Sequence, residues 1–224
     1  RSYLQNVKRL KFKSIDTKLS SLSSFNEFLI KSGIQEDLVI MREDRLKFQQ
    51  EIASPADIEK EEVDAFLQKV LVNTGKRNYA IAAVLAYAGL RVSECINISL
   101  RDMDFQAREL LVIGKGNKQR IVFINDKIIH AVREYLKERN SQSEYMFISR
   151  NGGKLHRSSV NRFFNQCSDK ITPHSLRHYF CSRALEMGYT MAEVSNQAGH
   201  ASERTTAIYT NASRQKMKEK ANLL

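Results

Sequence analysis

The stretch Tyr79-Ala-Ile-Ala-Ala-Val-Leu-Ala-Tyr-Ala-Gly-Leu-Arg-Val-Ser-Glu94 sets the architecture. Residues 79–88 are almost wholly apolar, so a helix there has no face to offer water and belongs at the centre of a core. Gly89 ends that helix and Arg91 opens the next segment with a charge. An arginine so placed pairs in the simplest case with a nearby acid, and Glu94, three residues on, supplies one.

The pattern upstream is also helical. Ile15, Leu19, Leu22, Phe25 and Leu29 recur at three-to-four spacing, with Gly33 placed to stop the helix. Residues 37–51 read as a second, shorter helix. Ala53-Ser54-Pro55-Ala56 reads as a linker, because the residue before proline is biased away from helix. Glu59, Glu61 and Glu62 then open a helix carrying Val63, Phe66, Leu67, Val70 and Leu71, their charges suited to its N-terminal dipole. The expected domain boundary therefore lies near residue 53, giving units 1–52 and 53–224.

Downstream, residues 110–113 and 120–124 are β-rich runs around Gly114-Lys-Gly-Asn-Lys118, which reads as a hairpin. Residues 128–137 predict an amphipathic helix, and 146–148 a third short strand closed by Asn151-Gly-Gly153. Beyond that the pattern is helical to the end. Thr172 is placed to cap a helix with Pro173 in its first position, Gly188 closes it, and Thr190 caps the next. The fold class expected is mainly α with a small antiparallel β-sheet.

With 224 residues, 42% of them hydrophobic and only two prolines, the chain can bury a proper core. No apolar run approaches 18 residues, and the first residues lack the apolar centre of a signal peptide. Cys95, Cys167 and Cys181 are odd in number and form no C-x-x-C pair, which argues against a disulfide framework or a zinc site and fits a reducing cytosol. The net charge of +11 favours a polyanionic partner. Its excess is uneven: residues 150–183 hold seven Lys or Arg against one acid, Asp169.

Four further elements follow in order: Gly114-Lys115-Gly116, His174-Ser-Leu-Arg177-His178, Gly199-His200 and, nine residues after that histidine, Tyr209. Together with Ala88-Gly-Leu-Arg-Val-Ser-Glu94 they resemble the active site of the tyrosine recombinases, the phage integrase family. The resemblance covers roughly the last three quarters of the chain and is closest to Xer proteins and transposon resolvases. It implies a catalytic domain preceded by a partial helical core-binding domain whose first helices are missing. It also implies double-stranded DNA recombination sites as substrate.

By the same resemblance, Arg91 and Arg177 clamp the scissile phosphate, because a planar guanidinium can engage two phosphate oxygens at once. His174 and His200 donate to the phosphate, Lys115 acts as general acid toward the leaving 5′ oxygen, and Tyr209 is the nucleophile. Glu94 orders the site, and His178 packs beneath it and braces the helix. The usual local pattern before His200 is Leu-Gly-His; here Ala198 replaces the leucine, a loss of packing volume that leaves the histidine in place. Tyr79, Tyr87, Tyr135, Tyr145, Tyr179 and Tyr189 lack any such context.

His174 and His178 are four apart, a spacing that also suits two metal ligands. The zinc-protease pattern needs a glutamate directly after the first histidine, where Ser175 stands, and the sequence supplies no third ligand nearby. No metal or cofactor is therefore expected. Two other activities use related features. A type IB topoisomerase uses a similar tyrosine and arginine set, but the Xer-like spacing argues against it. A non-catalytic DNA-binding protein would not need to keep every catalytic side chain.

The tail, residues 211–224, carries Arg214, Lys216, Lys218 and Lys220 alongside Met217, Ala221 and Leu224 at four-and-three spacing. In the resembling family this segment docks onto a neighbouring subunit. The expectation is a cytoplasmic, nucleoid-associated protein that forms a tetramer on DNA with its tail packed in trans.

Overall fold

The computed structural model describes residues 6, 8–9, 12–39 and 58–199, with the side chains of Phe12, Lys13 and Lys115 outside the description. The chain divides into two compact units, Arg1–Ile52 and Ala53–Leu224. The first contains α1 (Phe12–Lys31). It ends as the glycine pattern predicts: Gly33 has φ +68°, and Ile34 donates its backbone N–H to Leu29. Ile15 and Leu19 are buried, whereas Leu22 and Phe25 stand largely exposed, so only the first half of the expected stripe is covered. Of the second expected helix, residues 37–39 are bends rather than helix and the remainder lies outside the described residues.

The second unit is built around α3 (Lys76–Ala88). All seven residues from 80 to 86 are buried, as an apolar helix without a wet face requires. It packs against α2 (Lys60–Thr74), α5 (Asp126–Glu138) and α7 (Pro173–Glu186). Glu59 caps α2, its own N–H donating to the Glu62 carboxylate at 3.0 Å, and Val63, Phe66, Leu67 and Val70 turn inward. The side chain of Asn125 caps α5 by accepting from the N–H of Ile128.

A three-stranded antiparallel sheet, in the order β1-β2-β3, lies beside these helices: β1 (Met103–Asp104), β2 (Glu109–Ile113) and β3 (Gln119–Phe123). The hairpin between β2 and β3 is the predicted one, in register from Glu109 opposite Phe123 to Ile113 opposite Gln119. Its tip is a 3-10 turn over Lys115–Asn117, with Gly116 at φ +74° and Asn117 at φ +59°.

The third strand corrects the sequence reading. It is formed by Met103–Asp104, and the run 146–148 joins no sheet. Met146 and Phe147 are both fully buried, so the run lacks the in–out alternation of a half-buried strand. Its neighbouring carbonyls are taken by one side chain instead: the Arg139 guanidinium donates to Ser141, Ser143, Tyr145 and Met146. Only isolated bridges remain, Ser99 to Tyr145 and Ile148 to Lys154.

The last described elements are α6 (Arg157–Cys167), α7 and α8 (Met191–Ala198). Thr172 and Thr190 cap α7 and α8 through reciprocal bonds with Ser175 and Glu193, and Pro173 occupies the first turn of α7. Cys95, Cys167 and Cys181 are buried and unpaired in disulfides. Among the described residues no helix is long and apolar enough to cross a membrane.

Candidate active site

Arg91 is the N-cap of α4 (Val92–Cys95), immediately after the turn that ends α3. That turn depends on Gly89. Its φ of +65° is left-handed, and a Cβ there would stand 2.3 Å from Cδ1 of Phe180 on α7. Deleting that one carbon lets α7 approach the end of α3, bringing the two arginine motifs together.

Glu94 lies between two guanidinium groups. Its Oε1 accepts from Arg91 Nη1 at 3.0 Å and Arg120 Nη1 at 3.1 Å. Its Oε2 accepts from the Arg91 backbone N–H at 2.9 Å and from Arg120 Nη2 at 3.0 Å. Burial pushes the Glu94 carboxyl upward, but the Arg120 fork, the Arg91 backbone N–H and both positive charges outweigh it and hold the group below the usual carboxylate range. Arg91 itself stays about half exposed and bonds Glu94 through Nη1 of its guanidinium.

Arg177 is buried, at 5% exposure. Its Nη1 donates to the carbonyl oxygens of Gly89 and Ala198, each at 2.6 Å, which ties the end of α3 to the end of α8. Its Nη2 is buried and has no partner among the described residues. Burial, followed by the charge of Arg91, lowers its proton affinity from the ordinary arginine value. Three guanidinium groups and one carboxylate therefore share this pocket and leave it two charges positive.

His174 and His178 occupy one face of α7, their Nε2 atoms 2.7 Å apart and their rings edge-on with centroids 4.1 Å apart. Burial first, then the nearby His174 and Arg177, bring the His178 pKa down to about 4. His178 is thus neutral near pH 7, with its Nε2 within hydrogen-bond distance of His174 Nε2. Lys115 is at the hairpin tip; its backbone is described and its side chain is not. His200 and Tyr209 lie outside the described residues.

The structure brings together Arg91, Glu94 and Arg177, and sets His174 and His178 as a pair on the helix that carries Arg177. It adds Arg120, which the motif reading missed. The sequence hides it, because Ile121-Val-Phe-Ile124 is apolar at every position; only the burial of Val122 in the structure shows that the two-residue period of β3 puts Arg120 on the inward face. Gln197 was missed as well. Its side-chain amide donates to the carbonyl of Phe123 at 2.7 Å and accepts from the Phe123 N–H at 3.1 Å, closing the outer edge of the sheet with α8.

Comparison with known proteins bears on the same region. The phage integrase family matches residues 56–216. The chain is 48% identical to the TnP I resolvase of Bacillus thuringiensis over its whole length, which spans 81% of that protein. It is 30% identical to tyrosine recombinase XerC of Oceanobacillus iheyensis, with 97% of this chain and 75% of that one covered. Among solved structures, XerH site-specific recombinase bound to palindromic difH substrate superposes with a TM-score of 0.79 at 21% identity, covering 97% of this chain and 69% of that one. The family match takes in both arginine motifs, the hairpin and α8, so the pocket assembled around Glu94 belongs to its shared domain: the chain is a member of the phage integrase family, a tyrosine site-specific recombinase.

Proposed function

We propose that Tyr209 attacks a scissile phosphate of double-stranded DNA in line, releasing a 5′ hydroxyl and conserving the bond energy in a 3′-phosphotyrosine. A 5′ hydroxyl from another duplex then reverses the step, which is strand exchange without a nucleotide cofactor. The transition state gathers charge on the non-bridging oxygens, so catalysis is mainly electrostatic positioning. Arg91 and Arg177 clamp those oxygens, His174 and His200 donate to them, and Lys115 protonates the leaving oxygen. Glu94 and His178 hold Arg91 and His174 in place.

The observation that supports this reading best is the buried Nη2 of Arg177, which has no partner among the described residues. A donor removed from water without an acceptor costs about 1–3 kcal/mol, more when charged. A phosphate oxygen supplies the missing acceptor, and the pocket's two excess positive charges favour an anion. The unit Arg1–Ile52 is read as part of a second DNA-holding domain. The working assembly is read as a tetramer on paired sites, with the 211–224 tail docked on a neighbour, acting on DNA in the cytoplasm.

The test is a nicked suicide duplex carrying candidate sites from the source replicon. A covalent adduct should form, its junction peptide containing Tyr209. Tyr209→Phe should bind the duplex normally and form none; an adduct surviving in that variant overturns the assignment.

A further inference from the structure

None of the proposed chemical steps uses Arg120, although its side chain is only 11% exposed and joins three separate segments. From β3 it reaches α4 through the paired bonds to Glu94 at 3.1 and 3.0 Å. It reaches the end of α8 through Nε to the Gln197 carbonyl at 3.2 Å and Nη2 to the Ala198 carbonyl at 3.3 Å. The carbonyl end of a helix carries partial negative charge, so the same cation satisfies a carboxylate and a helix terminus together. Gly199, left-handed at φ +68°, passes so close that a Cβ would stand 2.6 Å from the guanidinium carbon.

We propose that Arg120 is a positioning residue for DNA cleavage, bridging Glu94 to the end of α8 so that Arg91 and the chain entering His200 are held in one arrangement. This rests on the reading of Arg91 and His200 as phosphate ligands. Glu94 has two oxygens, and each is shared between Arg91 and Arg120. With Arg120 in place, the Arg91 guanidinium spends one N–H on Glu94 and keeps the others for the phosphate. Without it, the buried carboxylate has only Arg91 to satisfy it and draws that guanidinium inward. The α8 carbonyls at Gln197 and Ala198, three and two residues before His200, lose a ligand in the same event. Lysine cannot replace this fork, since a single ammonium cannot span both carboxylate oxygens and two carbonyls in one plane.

The experiment uses the full chain and a nicked suicide duplex carrying the mapped recombination site. DNA affinity and single-turnover cleavage at saturating DNA are measured for wild type, Arg120→Lys, Arg120→Gln and Arg91→Ala. Both Arg120 variants should cleave on the order of 10–10²-fold more slowly while DNA affinity changes less than about threefold, a smaller loss than the roughly 10²–10³-fold for a donor that touches the transition state, since Arg120 acts through other groups. In Arg120→Gln the acidic limb of the rate profile should also move to higher pH, because the carboxylate facing Arg91, Arg120 and Arg177 has lost its leading donor. A lesion of packing alone would scale the rate equally at every pH.

The proposal is overturned by wild-type cleavage in a folded Arg120→Lys, by a loss confined to DNA affinity, or by a uniformly scaled profile. Should Arg120→Gln fail to fold, the lysine variant decides. Arg91→Ala separates the two readings. If it cleaves at the wild-type rate, the phosphate-clamp reading falls; if it is inactive while the Arg120 variants cleave normally, only the positioning role falls.

Discussion

Arg177 Nη1 lies 2.6 Å from the carbonyl oxygen of Gly89, a residue 88 positions earlier in the chain. That bond joins the two arginine motifs directly, since Gly89 stands two residues before Arg91. It also divides the work within one guanidinium: one nitrogen holds the fold together and the other, in the proposed mechanism, takes a phosphate oxygen. Arg177→Lys should therefore lose cleavage on the order of 10²-fold, because an ammonium cannot hold two carbonyls and a phosphate oxygen in the same plane. Single-turnover rates at saturating DNA check this, and a lysine variant within threefold of wild type would refute it.

Gly89→Ala tests how closely α7 must approach α3. The new methyl would overlap the Phe180 ring, and the left-handed backbone adds strain. Overpacking of this kind costs about 1–3 kcal/mol, and the conformation about 1–2 more. The thermal midpoint should fall by several degrees or more. Gly89→Ala/Phe180→Leu should recover part of that loss, leaving the backbone portion, and thermal denaturation of both variants reads the difference.

Cleavage should survive excess EDTA. In the proposed mechanism positive charge at the phosphate comes from Arg91 and Arg177, neither of which a chelator removes. Complete loss in chelator, restored by a divalent cation, would require a metal role for the His174–His178 pair.

The tail prediction follows from the spacing of its apolar residues. Met217, Ala221 and Leu224 give a helix one narrow apolar stripe, and a helix of a dozen residues is marginal in water without a surface to bury it. Deleting residues 213–224 should leave single-site DNA binding intact while weakening cooperative binding to paired sites and synapsis. Unchanged cooperativity in a gel-shift titration would sink the idea.

What could be read in the sequence was what is local. Residues 79–88 announce their burial by composition, Thr172-Pro173 and Thr190 announce helix starts, and the glycines around Lys115 announce a turn. Each of these is fixed by interactions within a few residues. The Arg120–Glu94 fork and the Gln197–Phe123 pairing join residues 26 and 74 positions apart, so no local pattern contains them. The 146–148 error has a different origin: Arg139, only two to seven residues away, captures carbonyls in and beside the run, and burial of both Met146 and Phe147 removes the alternation of a half-buried strand. β1, two residues long, is too short to carry any period.

The histidine pair makes the last prediction. His178 is held neutral by its half-buried position and by the adjacent His174 and Arg177, with its pKa at about 4 against an ordinary 6.5. Below the ordinary value the unfolded chain takes up a proton that the folded site refuses. The unfolded state therefore binds more protons between about pH 6.5 and 4, and stability rises with pH across that window. The contribution is fully present above 6.5 and is lost as pH falls toward 4. Glu94 acts in the same direction at lower pH, since its depressed carboxyl also favours the folded state only while ionised. His178→Gln removes the first effect and keeps a polar side chain beside His174. Its thermal midpoint should vary less with pH than that of wild type between 6.5 and 4, and the two proteins should respond alike below that range. Parallel curves across the whole window would show that His178 is not the group refusing the proton.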